Sequence, residues 1–181
     1  MGSERAFEQS VKRAYERGRL ARALGRGALV LPMLLIALAS RQQASHLLPL
    51  AALLFAAVLL VSLRGKSAGR AVPLALAAGL APLLLPLAAR GLGHAMCSAD
   101  CMTSFCLPAC YLGGGLAGAA LALFSQTEES VPSQREFLIS ALFISGIAGA
   151  LGCSMAGAGG VLGMLAAQVA LTAPAWRRAT S

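Results

Sequence analysis

From Phe137 to Trp176 the chain runs 40 residues without a charged side chain. A membrane-crossing helix needs about 20 predominantly apolar residues. The stretch is therefore long enough for two such helices, with a tight turn near Cys153–Gly159. In lipid every backbone N–H and C=O must be met within the protein, which confines membrane-spanning chains to helices and closed barrels. The expected fold class is therefore all-α, a polytopic transmembrane helix bundle. Composition agrees. The chain is 57% hydrophobic and 12% charged, against about 25% charged in soluble domains, and its mean hydropathy is +0.73.

Charged residues punctuate the rest into further runs. Six spans are expected, at about 27–40, 46–63, 71–89, 105–125, 137–153 and 158–176, within a membrane domain covering 27–176. The first is short unless Arg22 and Arg26 snorkel to the interface. Residues 1–26 form a basic, helical arm and 177–181 a tail. The third span holds Pro73, Pro82 and Pro86 and reads as a bent packing helix.

A pI near 10.1 would point to nucleic acid in a soluble protein. Here the basic residues act first on orientation, and no direct nucleic-acid binding is expected. The arm carries Arg5, Lys12, Arg13, Arg17, Arg19, Arg22 and Arg26; the second loop Arg64, Lys66 and Arg70; the fourth loop Arg135; and the tail Arg177 and Arg178. Thus 13 of the 15 basic residues fall on one side, leaving only Arg41 and Arg90 on the other. The positive-inside rule makes the richer side cytoplasmic, so both termini are expected inside. Ala37-Leu38-Ala39 has the small-residue pattern of a signal-peptide cleavage site, but a preceding 26-residue arm is long for such a signal.

On this map all five cysteines gather at the outer face. Cys97 and Cys101 lie in the third loop with His94 and Asp100, Cys106 and Cys110 open the fourth span, and Cys153 ends the fifth. Cys97/Cys101 and Cys106/Cys110 are each four apart, one helical turn, although Pro108 interrupts the second pair. Neighbouring thiols on one turn suit a soft metal better than a disulfide, which demands specific geometry. Cys97, Cys101, Cys106 and Cys110 are the candidate ligands for Zn or Cu(I), and the flanking Met96 and Met102 favour copper. A thiol redox site, a disulfide pinning the third loop, and plain packing by small buried cysteines are the alternatives.

On the arm, Phe7, Val11, Ala14, Tyr15, Ala21 and Leu24 recur at helical spacing. Phe7, Val11 and Tyr15 with Arg13 and Arg17 are the candidate contacts for a cytoplasmic partner, or for anionic lipid. The small-x3-small stripes Gly114/Gly118, Ser145/Gly149/Cys153 and Gly159/Gly163/Ala167 suit close helix packing and, equally, a homo-oligomer. Gln168 is the one strongly polar side chain deep in the last span and reads as a helix-to-helix bond. No span carries Asp, Glu, Lys or Arg in its interior, which speaks against proton-coupled transport. There is no P-loop, nucleophile elbow or zinc-protease motif, and the chain is not expected to be an enzyme.

Six spans, a short arm and outer-face cysteines together resemble the membrane-bound anti-sigma factors of the NrsF/CarR type. Gly115-Leu116-Ala117-Gly118 is similar to that family's small-residue helix core and Gly146-Ile147 to a later glycine–isoleucine step, while "AYERGRLARAL" resembles its juxtamembrane segment. Phe124-Ser125 stands where the family has a histidine–cysteine step. The resemblance implies a bacterial inner-membrane protein whose arm holds a sigma factor until a thiol event at the outer face, at Cys106 or Cys110 with Cys153, releases it. A soft-metal (mercuric- or copper-type) transporter or binding protein is the rival, although Met33 and Met164 read as lying away from the cysteine cluster. A structural membrane protein with a disulfide-pinned loop is the third reading.

The sidedness has a direct test. Variants keeping only Cys97 or only Cys101 are expected to react with a membrane-impermeant thiol reagent in intact cells. Labelling that appears only in inverted vesicles would reverse the topology.

Overall fold

The structure, a computed structural model, describes residues 2–39, 44–64, 66–96, 102–127 and 130–178. They form helices α1 (Gly2–Ala28), α2 (Val30–Ala39), α3 (Ala44–Arg64), α4 (Lys66–Met96), α5 (Met102–Ser125), α6 (Val131–Cys153) and α7 (Gly157–Arg178). A single 3-10 turn, Ser154–Ala156, joins α6 to α7, and Gly157 closes it with φ of +71°. The tight turn expected near Cys153–Gly159 lies here.

Six segments among the described residues are long and apolar enough to cross a membrane: Val11–Leu38, Leu47–Arg64, Ala68–Ala89, Cys106–Ser125, Pro132–Cys153 and Gly157–Arg178. The first differs from its expected bounds of 27–40. Basic residues punctuate a hydropathy pattern without interrupting a helix, so the arm runs unbroken into the first span. The interruption comes at Leu29, whose N–H bonds the Arg26 carbonyl at 3.1 Å. Pro32, three residues on, has no N–H to offer Ala28, which explains why the helix restarts rather than continues.

Helix α6 is the most enclosed, with 67% of its span buried. Its apolar side, Phe137, Leu138, Ala141, Ile144, Ala148 and Leu151, joins Leu54, Val58, Val72, Ala75 and Leu83 in the main core. Contact between α4 and α6 is parallel and very close. A Cβ on Gly79 would sit 2.7 Å from that of Ala148, and one on Gly152 2.7 Å from Leu83 Cα. Helices α5 and α7 form a second parallel pair. Gly160 lies against Cys110, Gly114 against the Met164 carbonyl, and Gly118 against the Gln168 carbonyl, a constant register along both helices.

The Gly114/Gly118 and Ser145/Gly149/Cys153 stripes are therefore used for helix packing within the chain. On α7 the backbone comes closest to α5 along Gly160–Met164–Gln168, and of the expected Gly159/Gly163/Ala167 stripe Gly163 also meets α5. Gly159 is exposed, and Gly163 abuts the Tyr111 ring. Gln168, 1% exposed, donates through Nε2 to Ser145 Oγ, which donates in turn to the Ala141 carbonyl at 2.7 Å. It thus bonds α7 to α6 as its sequence position suggested. At the opposite end from the α6–α7 turn, the Arg135 guanidinium lies 5.6 Å from the Trp176 ring centroid, joining the start of α6 to the end of α7.

These contacts separate two glycines of similar sequence context. A Cβ at position 118 would meet backbone, 2.5 Å from the Gln168 carbonyl oxygen, whereas one at 159 meets only Leu107 Cδ1 at 4.0 Å. Gly118→Ala is expected to cost about 1–3 kcal/mol through overpacking. Gly159→Ala is expected to be neutral or to stabilise by up to about 1 kcal/mol through helix propensity. Unfolding of both variants in mixed micelles reads the difference.

Candidate functional site

The site begins with a defect in α4. Proline at position i has no N–H for the carbonyl of residue i−4, so Pro86 leaves the Pro82 carbonyl without its helical donor. A bare carbonyl in a membrane interior must find a donor from a neighbour. It finds the thiol of Cys153, which donates to Pro82 O at 3.6 Å, a bond between residues 71 apart in sequence. Gly152 allows the approach, since a Cβ there would lie 2.7 Å from the same carbonyl oxygen.

A second thiol completes the arrangement. Cys110 of α5 packs against Cys153 in one buried cluster. Both residues are fully buried, and Cys106, one turn earlier on α5, is 6% exposed. None of the three is in a disulfide. Helix α5 passes through Pro108 without a break, so Cys106 and Cys110 share an inward face, contrary to the interruption expected there. Pro108 falls in the second turn, where the helix loses only one early bond.

The third sulfur is Met164. It is fully buried and packs in one cluster with Cys110 and Cys153, edged by Ala156, Val161 and Leu165. The reading that placed Met164 away from the cysteines is corrected. The constant α5–α7 register carries it beside them, and neither apolarity nor spacing within α7 reveals that register.

The remaining candidates distribute as follows. Cys97 and Cys101 lie outside the described residues. His94 falls in the last turn of α4, where the backbone alone is described. No group of three or more His, Cys, Asp or Glu able to hold a metal occurs among the described residues, which include only Cys106 and Cys110 of the four candidate ligands. What the described residues bring together is two thiols with a thioether nearby. Cys106, Cys110 and Cys153 are all buried within the bundle. On the arm, Val11 and Tyr15 are 52% and 62% exposed, and Arg13 and Arg17 are exposed as well. Phe7 lies in α1 with its side chain outside the described set.

Comparison with known protein families, with curated proteins and with solved structures finds no match. The chemistry therefore rests on the geometry of this chain. Two packed thiols can lose two electrons and two protons to form a disulfide, or can take a soft cation such as Cu(I), for which thiolate and thioether are preferred ligands. Either event removes the Cys153 proton from Pro82. Pro82 is the residue that sequence reasoning passed over. Its signal was present, because Pro86 four residues later marks its carbonyl as one needing an outside donor.

Substitution at Cys153 separates its donor role from its bulk. Cys153→Val fills the space but leaves Pro82 O without a donor, with an expected loss of about 1–3 kcal/mol. Cys153→Ser keeps a hydroxyl donor and is expected to lose less than half as much. Equal losses in a micellar unfolding titration would show that the bond contributes nothing.

Proposed function

We propose that the chain is a membrane-embedded negative regulator of the anti-sigma-factor kind, in which the thiol state of Cys110 and Cys153 decides how the arm holds a cytoplasmic transcription factor. The observation that carries this reading is that Cys153 is at once packed against Cys110 and the outside donor to Pro82. Its chemistry is thereby coupled to the packing of a whole helix.

The step is balanced with a hydroperoxide as oxidant. Two thiols and one ROOH give a disulfide, ROH and water. A soft metal ion displaces the same thiol protons without electron transfer, and Met164 beside the pair favours this as a second trigger. In both cases Pro82 O loses its donor, a change worth about 1–3 kcal/mol when the acceptor stays buried. A 100-fold shift between two packings requires about 2.7 kcal/mol, so the trigger is of the needed size. Helix α4 transmits it, because Pro82 and Pro86 lie toward one end and Gly69, at the other, lies against Arg26 of α1. Orientation with the arm in the cytoplasm of a bacterial inner membrane follows from the basic-residue count and is part of the proposal.

The full chain, expressed with an affinity tag in a bacterium, is expected to co-purify a sigma factor under reducing conditions. Recovery should fall at least tenfold after diamide or Cu(I) treatment, and Cys153→Ser should abolish the response to diamide. Recovery of no sigma factor, beside a working positive control, would remove the proposal.

A further inference from the structure

At the end of the bundle away from the thiols lies a cavity of about 550 Å³, inside the ~300–1,000 Å³ range of small-ligand sites. Its walls are Tyr15, Arg19, Arg22 and Arg26 of α1, Ser62 and Arg64 of α3, and Arg70 of α4. Five guanidinium groups thus face one space, and no carboxylate is among the lining residues. Like charges gathered in a partly dehydrated space repel unless an anion joins them.

Two further details point into the cavity. Ser62 Oγ is buried and has no hydrogen-bond partner among the described residues. The Arg26 side chain reaches across to α4, where a Cβ on Gly69 would sit 2.7 Å from its Nη1. Arg19 donates to the Leu63 carbonyl, which holds α1 against the end of α3. The cavity is therefore built from three separate helices.

Its depth selects the anion. Measured back from Leu38 at about 1.5 Å per residue, Arg19 lies roughly 28 Å along the helix, at the edge of a hydrocarbon core about 30 Å thick. Arg64 ends one span and Arg70 is near the start of the next. This is the level of phospholipid phosphates. Leu20, Leu24 and Leu60 are 51%, 50% and 60% exposed beside these arginines in sequence and offer an apolar surface for acyl chains. Basic pockets between membrane helices take anionic head groups by this chemistry. Arg22 and Arg26 fall one and two turns deeper, where unpaired charge is expensive.

We infer that this cavity binds the phosphate of an anionic phospholipid head group, with Arg19, Arg26, Arg64 and Arg70 as charge partners and Ser62 and Tyr15 as neutral hydrogen-bond donors. The bound lipid then pins α1 to the ends of α3 and α4. The site stands apart from the thiol reading and does not require it.

Native mass spectrometry of the full chain in detergent, with phosphatidylglycerol and phosphatidylcholine added in turn, tests this. One phosphatidylglycerol per chain is expected, held at least tenfold more tightly than phosphatidylcholine. Arg26→Gln with Arg70→Gln should abolish that preference. Lys12→Gln with Arg13→Gln removes equal charge from the arm outside the cavity and should keep it. If the double variant unfolds, as its melting in phosphatidylcholine micelles would show, Arg70→Gln alone should weaken retention at least threefold. Absence of a preference, or equal loss in both double variants, overturns the site. Displacement of the lipid by millimolar inorganic phosphate would overturn the lipid assignment and leave a free phosphate as the ligand.

Discussion

Helix α4 contains three prolines and still runs unbroken for 31 residues. In water the freed carbonyls would be solvated; in a bilayer each needs a protein donor. The thiol of Cys153 meeting Pro82 O is the answer on which the architecture depends. It requires α6 to press against α4, which requires glycine at 149 and 152, where a Cβ would collide with the Pro82 ring or backbone. A polarizable, weakly donating group thereby holds the most enclosed helix to the most irregular one. Chemistry at that sulfur cannot remain local, because the same atom carries a structural bond.

The two parallel pairs explain why the sulfurs converge. Cys153 is placed by the α4–α6 contact and Cys110 by the α5–α7 contact, where it lies 3.4 Å from the position a Cβ on Gly160 would take. The two contacts meet at this level of the bundle, so the thiol pair marks where four helices join. At the other end the arm crosses the ends of α3 and α4, and its arginines face each other around a shared space. Helix α4 is the one element that reaches both places.

Much of the fold was legible in the sequence. Charge punctuation gave six apolar runs, the uncharged 40-residue stretch split at the right place, and Gln168 bonded a neighbouring helix. The start of the first span was not legible, since arginines with long apolar stems sit at a helix–membrane boundary without ending either. The line of closest approach on α7 was legible only in part, since Gly163 meets α5 but Gly159 is exposed. In a bilayer, lipid and protein interior are both apolar, so the amphipathic period that marks a buried face in water fades. Adjacent small residues such as Gly159, Gly160 and Gly163 then leave the contact line open to a one-residue error. The meeting of Cys110 with Cys153 entered the sequence reading only through a family resemblance. The role of Pro82 needed the missing donor and a distant helix to be seen together.

The order in which the spans emerge carries a consequence for biogenesis. Helices α4 and α5 enter the bilayer before α6 and α7 exist; they pack on each other, with Gly113 against Pro82, but each also has close contacts that only those later helices supply. During synthesis the hollows at Gly79, Gly114 and Gly118 are lined by lipid, and Pro82 waits for a donor still on the ribosome. Consolidation of the bundle is therefore a late event, set by insertion of the final hairpin. A nascent chain halted before α6 is a half-assembled protein exposed to membrane quality control.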